Sequence, residues 1–288
     1  MSLAALSGAA IVALASTIIF LLILKSWDVL SASVVEATRF PQSIMLEAAQ
    51  RFRDEMERLA REQSHYLVAV VVFATIFVIT YLLPPQEMFA ALPTWQLMLT
   101  LGLFVAAALY TLFRLGQIVI AKRRLAFVRD ANMATGHALQ KLTANQNRVF
   151  HDVPCGSQII DNVIVGLQGI YAISVIARIP GKDNRVRLRD DALSFAPGPE
   201  TLSVSRSGAK SVRLAKEIGK LIQHEIRVRS VVAVPGWEIE SQVSQDYLVV
   251  NERNLAMLCG WRDEKDHLMT EDVASIQAML TKRCTRFG

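Results

Sequence analysis

Two acids in a strongly apolar, β-branched region are the residues of this chain best placed to hold a metal ion. Asp161 lies inside the run Gln158-Ile-Ile-Asp-Asn-Val-Ile-Val-Gly166, whose composition reads as a strand. A buried carboxylate without a partner is costly there. A turn at Gly166 to Gly169 leads into a second strand ending Ile173-Ser174-Val175-Ile176. If residues 148–153 and 158–164 form a hairpin about 155–156, Asp152 stands opposite Ile159 and Asp161 opposite Phe150. The two acids then share a face at a diagonal position, within range of a common ion. A one-residue register slip would separate them. The plainer reading makes Asp152 a strand-end surface acid, and Asp161 a carboxylate satisfied by Asn162, Gln158 or a backbone N–H. Arg178 lies on the side of Ser174 and Ile176 if that strand continues; it could bind phosphate, but it stays protonated and cannot serve as a base.

Basic residues form a second group. Arg206, Lys210, Arg213 and Lys220 fall within about 80° of one another on a helical wheel, with Glu217 among them. Lys182, Arg185, Arg187 and Arg189 cluster upstream, the last three alternating as on a strand. These are the candidate nucleic-acid contacts. Aromatic interleaving that would stack bases is missing, and a solvated helix face with an exposed hairpin accounts for the same pattern. His137 and His151 are isolated from other ligand types, Gly166-x-x-Gly169 lacks the following helix of a nucleotide fold, and Ser205 and Ser207 have no nucleophile elbow around them. Cys155, Cys259 and Cys284 are odd in number and widely spaced. They suggest neither a disulfide framework nor a zinc site, and fit a reducing compartment.

The elements that would position these residues are a helix over 125–147, strands at 149–153, 158–165 and 170–176, and short strands at 185–188 and 192–195. A helix over 205–226, strands at 230–234 and 247–250, a short helix at 252–258 and a final helix at 270–284 complete the set. Strands first, then strand–helix alternation, imply an α/β domain with a mixed sheet.

The order helix, Arg148-Val-Phe-His-Asp-Val, Gln158-Ile-Ile-Asp-Asn-Val-Ile-Val-Gly, Gly169-Ile-Tyr-Ala-Ile resembles the NERD (nuclease-related domain) family, as does the later Val249-Val-Asn-Glu-Arg-Asn-Leu255. The resemblance covers roughly residues 130–260, and its specific part is the first two strands. It implies the restriction-endonuclease-like superfamily, with a central mixed sheet flanked by helices. That chemistry uses an Asp on one strand and Glu-x-Lys on the next. The carboxylates hold a divalent metal that polarises phosphate and lowers the pKa of a bound water. Residues two apart on a strand share a face, hence the one-residue gap. Asp161 matches the family's Asp. The Glu-x-Lys position reads Ser174-Val175-Ile176, and where the family has Gly-Glu in the early helix this chain has Gly136-His137. A hydroxyl is a poor metal ligand and isoleucine cannot orient water. The resemblance therefore implies a nuclease-like site without nuclease chemistry, or, if Asp161 and Asp152 still hold Mg²⁺ with a third group, a metal-dependent nuclease.

Hydrophobic residues make up 52% of the 288, concentrated before residue 122. Apolar runs long enough to cross a bilayer cover about 3–24, 66–83 and 95–120. No Lys or Arg precedes Lys25, which argues against a cleaved signal peptide. Lys and Arg are absent from 1–24 and from 84–94, whereas 25–65 holds six. The positive-inside rule then places the N-terminus outside, and residues 25–65 and the C-terminal part in the cytoplasm of a bacterial inner membrane. From Ser43 to Glu62, Met45, Ala48, Ala49, Phe52, Met56, Leu59 and Ala60 recur at helical spacing, which implies an amphipathic helix over about 43–65. The plainer reading is a long cytoplasmic helix continuing into the second span; the sharper one is that its apolar stripe docks on a partner, on the chain's own C-terminal part, or on the membrane surface, with the mixed charges favouring protein.

The expectation is thus a membrane region over 1–124 and a NERD-like cytoplasmic domain over 125–288. In the latter, 21 Lys and Arg against 18 Asp and Glu leave a charge of only +3, too little to imply nucleic acid by itself. Small residues in Gly8-Ala-Ala-Ile-Val-Ala-Leu-Ala15 point to helix packing, hence to other membrane subunits or a homo-oligomer.

Overall fold

The computed structural model describes residues 15–23, 25–26, 44–82, 93–143, 147–181, 183–189, 191–244, 246–260 and 267–286. The chain divides into two compact units, Met1–Arg39 with Glu55–Arg124 and Phe40–Asp54 with Leu125–Gly288. The second unit therefore takes in a short stretch from before the expected second span.

Two long helices supply the first unit. α1 runs Gln50–Leu82 and α2 runs Thr94–Gln140. Residues 15–23 and 25–26 are also helical, whereas the rest of the expected 3–24 span lies outside the described residues. Among the described residues, one helical stretch, Val105–Gln140, is long and apolar enough to cross a membrane by length and composition. The expected 66–83 segment lies within α1 as far as Leu82, and the expected 95–120 segment lies within α2. Leu67, Val71, Trp95, Leu109, Leu112 and Phe113 are exposed on these helices, a run of apolar side chains that a bilayer would cover.

The second unit is a mixed α/β fold. Its strands are β1 (Ile44–Met45), β2 (Arg148–Cys155), β3 (Gln158–Gly166), β4 (Gly169–Val175), β5 (Arg185–Arg189), β6 (Ala192–Phe195), β7 (Thr201–Ser203), β8 (Val228–Ala233), β9 (Glu238–Val243), β10 (Tyr247–Val250) and β11 (Thr285–Arg286). Its later helices are α3 (Ser205–Ile222), α4 (Met257–Gly260) and α5 (Thr270–Arg283). The central sheet has the order β10-β8-β4-β3-β2. β10, β8 and β4 are parallel neighbours, and β4, β3 and β2 antiparallel ones. One face packs Phe150, Val163 and Ala172 against Leu214 and Ile218 of α3 and Ile276 and Leu280 of α5. The other packs Val149, Ile164 and Ile173 against Leu139 of α2 and Leu255 and Leu258. Apolar residues on both faces are what a covered sheet requires, and explain the near-continuous Val/Ile runs of β3 and β4. A second sheet, β7-β6-β5-β9, closes a third core around Phe195 and Trp237.

The amphipathic segment departs from expectation at its start. Residues 43–49 are not the first turns of a helix: β1 pairs with β11, Leu46 N donates to Cys284 O at 2.8 Å, and α1 begins only at Gln50. Ala49 sits at φ 64°, in the left-handed region that ends regular structure, and Ala48 and Ala49 are buried. Of the three surfaces the apolar stripe could have covered, this part of it covers the chain's own C-terminal part. Close approach is possible because α2 carries Gly136, where an added Cβ would lie 2.4 Å from the Cβ of Ala48. The helix expected over 125–147 ends at Gln140 and is continuous with the 95–120 segment.

Gly136→Ala is expected to lower the stability of the full chain by about 1–3 kcal/mol through this overlap. Adding Ala48→Gly to the same chain should recover most of the loss in a thermal unfolding measurement.

Candidate functional site

The acids meet because of strand register. β2 and β3 pair His151 with Asn162 and Val153 with Ile160, so Asp152 falls opposite Asp161. The expected register, with Asp152 opposite Ile159, is off by two: Ile159 pairs with Pro154, and Phe150 with Val163. A two-residue shift keeps each side chain on its face, so the acids stay together and come directly across from one another instead of diagonally. β3 and β4 pair Asn162 with Ile173, and one step further along sets Ser174 opposite Asp161. Asp152, Asp161 and Ser174 thus form a polar row across three strands, on the face that α3 covers, and all three are buried. Asp152 itself has φ 48°, a local departure from extended backbone inside β2, of a kind that costs on the order of 1–2 kcal/mol for a residue with a side chain.

Two buried carboxylates side by side repel and lose hydration. Arg51, in the first turn of α1, supplies the missing charge. Its Nη2 donates to Asp161 Oδ1, and its Nε lies 3.4 Å from Asp152 Oδ1, an ion-pair distance without hydrogen-bond alignment. Its backbone N–H donates to Asp152 Oδ2 at 3.1 Å, and the Val175 N–H donates to Asp161 Oδ2 at 2.8 Å. Burial holds the Asp152 carboxyl above the usual carboxylate range, against the opposing effects of the Arg51 N–H and guanidinium, with Asp161 adding to the rise. Lys210 of α3 lies close enough to sense both charges. Burial pushes its ammonium below the usual lysine range, Asp161 opposes that shift and Arg51 adds to it. With every group ionised, two carboxylates share one guanidinium.

Whether this site fits a divalent metal follows from what it contains. Among the described residues no group of three or more His, Cys, Asp or Glu side chains converges. The two acids already share a guanidinium, and Ser174 and Ile176 stand where Glu and Lys would be needed. Mg²⁺ requires near-octahedral oxygen ligation, mostly carboxylate and water. With Arg51 in place, the site does not fit a metal ion.

The remaining sequence candidates disperse. Arg178 does not reach the acids: it pairs with Glu200, and its guanidinium stacks 4.6 Å from the Phe195 ring centroid. His151 donates from Nδ1 to Asn162 Oδ1 at 2.6 Å on the opposite sheet face, and His137 is exposed in the last turn of α2. The basic α3 residues do not act as one face. Lys210 is half-buried and senses Asp161, Arg213 pairs with Glu217 at 3.7 Å, and Arg206 is exposed. Lys220 lines an open groove of about 1330 Å³ between α3 and the β8–β10 edge, shared with Lys216, Arg227, Glu225 and Asp246. Arg185 and Arg187 are each held by two hydrogen bonds, to Asp183 and Glu240 respectively. Lys182 lies outside the described residues. Sequence reasoning missed Arg51 and Lys210 as members of the acid site. The one available signal was the apolar stripe containing Ala48 and Ala49, which left docking onto the chain's own C-terminal part open.

No family model, curated protein or solved structure matches the chain.

Removing one member of a buried ion pair strands the other charge. Arg51→Ala is therefore expected to cost about 3–5 kcal/mol, and Arg51→Ala with Asp161→Asn less than the sum of the two single losses by at least about 1 kcal/mol, read from denaturant unfolding of the full chain. The buried thiols give a second check. Burial, then Glu217, pushes Cys155 up to about 11, and burial, then Asp152, pushes Cys284 up to about 11. At pH 8 both should resist alkylation in the folded chain and react once it is unfolded, as read by peptide mass spectrometry.

Proposed function

We propose that this chain is a membrane-associated, nuclease-like protein whose catalytic site has been given over to holding its own structure, and that it works as an interaction or scaffold subunit of a membrane assembly. The observation that carries this reading is the Arg51 guanidinium on Asp152 and Asp161, in the position a catalytic cation would need. Its support is chemical: a strand motif reduced to Ser174 and Ile176 offers neither a second metal carboxylate nor an amine to position water. The resemblance to the NERD family and to restriction-endonuclease-like folds is part of the same proposal, as are the three spans, an external N-terminus and a cytoplasmic C-terminal part at a bacterial inner membrane. The partners are other membrane subunits or further copies of the chain. Nucleic acid is a second ligand within this proposal, through the α3 cations Arg206, Lys216 and Lys220, which form no ion pair among the described residues.

One observation favours a second reading, a membrane-anchored, Mg²⁺-dependent nuclease. The Lys210 ammonium of α3 senses the charge of Asp161, and is an amine near the acid face of a kind that β4 lacks.

The readings separate in one experiment. Full-length chain incubated with Mg²⁺ or Mn²⁺ and single- or double-stranded DNA should leave both substrates intact. Cleavage that disappears on Asp161→Ala would overturn the scaffold reading. For DNA binding without cleavage, affinity should fall steeply with salt and weaken on Lys220→Glu, while Arg187→Glu, at a residue already neutralised by Glu240, leaves it unchanged.

A further inference from the structure

Exposed apolar side chains on α1 and α2 give way, within about one helical turn, to a belt of cations. Lys122 Nζ donates to Gln63 Oε1 at 2.9 Å, and Arg114 hydrogen-bonds the Tyr66 side chain. Moving back along α1 and forward along α2 are therefore the same direction. On one side of the Lys122–Gln63 level stand Leu67 and Val71 of α1 and Leu112, Phe113 and Ile120 of α2, all exposed. On the other stand Arg58 and Arg61 of α1 and Arg123 and Arg124 of α2. At a rise of about 1.5 Å per residue, Arg61 and Arg124 each lie about 3 Å beyond that level, and Ile120 about 3 Å before it.

Much of this charge is unclaimed. Residues 55–65 and 114–124 hold six Lys and Arg against three Glu. Arg58 is tied to Glu55, whereas Arg61, Arg123 and Arg124 are exposed and form no ion pair among the described residues. They do not share one face. Neighbours on a helix are about 100° apart, so Arg61 projects roughly opposite Gln63, and Arg124 roughly opposite Lys122, while Gln63 and Lys122 face each other. The cations thus ring the helix pair at one height instead of lining a cleft. A ring suits a planar array of anions. A single phosphate would meet one or two of these guanidinia, and a nucleic-acid duplex, lying against one side, would miss the rest.

We propose that Arg61, Lys122, Arg123 and Arg124 bind the headgroup phosphates of anionic phospholipids, at the height where the apolar surface of α1 and α2 ends. This rests on the reading of α1 and α2 as membrane segments and adds to it the class of lipid they select. Guanidinium N–H groups meet phosphate oxygens two at a time, and the apolar side chains below them cover the acyl chains of the same lipids. A zwitterionic headgroup offers the same phosphate with its own ammonium beside it, so the ring discriminates in favour of lipids with net negative charge. A cation near a negative membrane surface gains about fivefold in affinity each.

Two lipids titrated against the full-length chain in neutral detergent micelles test the ring, with retained lipid counted by native mass spectrometry. Phosphatidylglycerol should be retained at roughly a hundredfold lower concentration than phosphatidylcholine, from three free cations at about fivefold each. Arg61→Gln with Arg123→Gln and Arg124→Gln should bring the two lipids level. The same three positions changed to Lys keep the charge and should keep most of the preference, as should Arg185→Gln with Arg187→Gln, which lie in the second sheet. Equal retention of both lipids by the wild-type chain, or an undiminished preference in the glutamine variant, overturns the proposal. So does displacement of phosphatidylglycerol by an equal concentration of inorganic phosphate, which makes the ring a free-anion site. If the glutamine variant weakens DNA binding and leaves lipid retention unchanged, the ring is a nucleic-acid surface and the proposal is wrong. Flotation with phosphatidylcholine vesicles after detergent removal checks the membrane reading separately. A chain that floats but shows no preference sinks the ring alone, and one that does not float sinks both.

Discussion

Two carboxylates facing each other inside an apolar sheet set the terms for the rest of this fold. Neither β2 nor β3 supplies an ion pair to them among the described residues. The neutralising charge comes from Arg51, 101 residues before Asp152 and 110 before Asp161. That requirement pulls a stretch of chain from ahead of α1 across the sheet. It also accounts for the otherwise awkward features of that stretch: a left-handed Ala49, a two-residue strand on β11, and a glycine in α2 where Ala48 lies. A buried ion pair is seldom a large net gain over a well-packed apolar core. Its effect here is better described as specificity, since one docked position of the segment satisfies both acids and others leave a charge stranded.

The same constraint separates a site from the chemistry its residues suggest. Asp152 and Asp161 on neighbouring strands could share a cation by type and by geometry. Their surroundings decide otherwise. A guanidinium fills the space between the carboxylates, and the next strand contributes a hydroxyl. An acid pair that carries a metal must stay open to water and to a substrate phosphate, whereas this one is covered by the chain itself. The residue types are those that could share a cation; the electrostatic balance is that of a structural ion cluster.

What can be read from the sequence follows the range of the interactions involved. β3, β4, β6 and β10 lie where β-branched content and turns place them, because alternation and turn chemistry are local. The approach of Asp152 to Asp161 is also within reach, since a two-residue error in hairpin register preserves the face. β7 and β9 are not legible: Thr201–Ser203 is wholly exposed, and Glu238–Val243 alternates too weakly to stand out. Periodicity alone starts α1 seven residues early, because the 43–49 stretch carries a helical pattern that tertiary contact overrides. Alternation puts Arg178 on the acid face only if β4 continues, but the strand ends at Val175 and the chain turns toward the second sheet.

Basic residues show the same limit from the other side. On a helical wheel Arg206, Lys210, Arg213 and Lys220 form one face, and on a bare helix they would act together. In the fold each answers to a different neighbour. Lys210 is half-buried and senses Asp161, Arg213 is tied to Glu217, and Lys220 opens onto a groove bounded by β8 and β10. A charge pattern fixes where cations can point, and the packed acids around them fix how much charge remains for a ligand. Much of the basic charge nearest the acid row is thus already committed to holding the fold. The α3 cations outside these pairs, Lys216 and Lys220, line the groove away from that row.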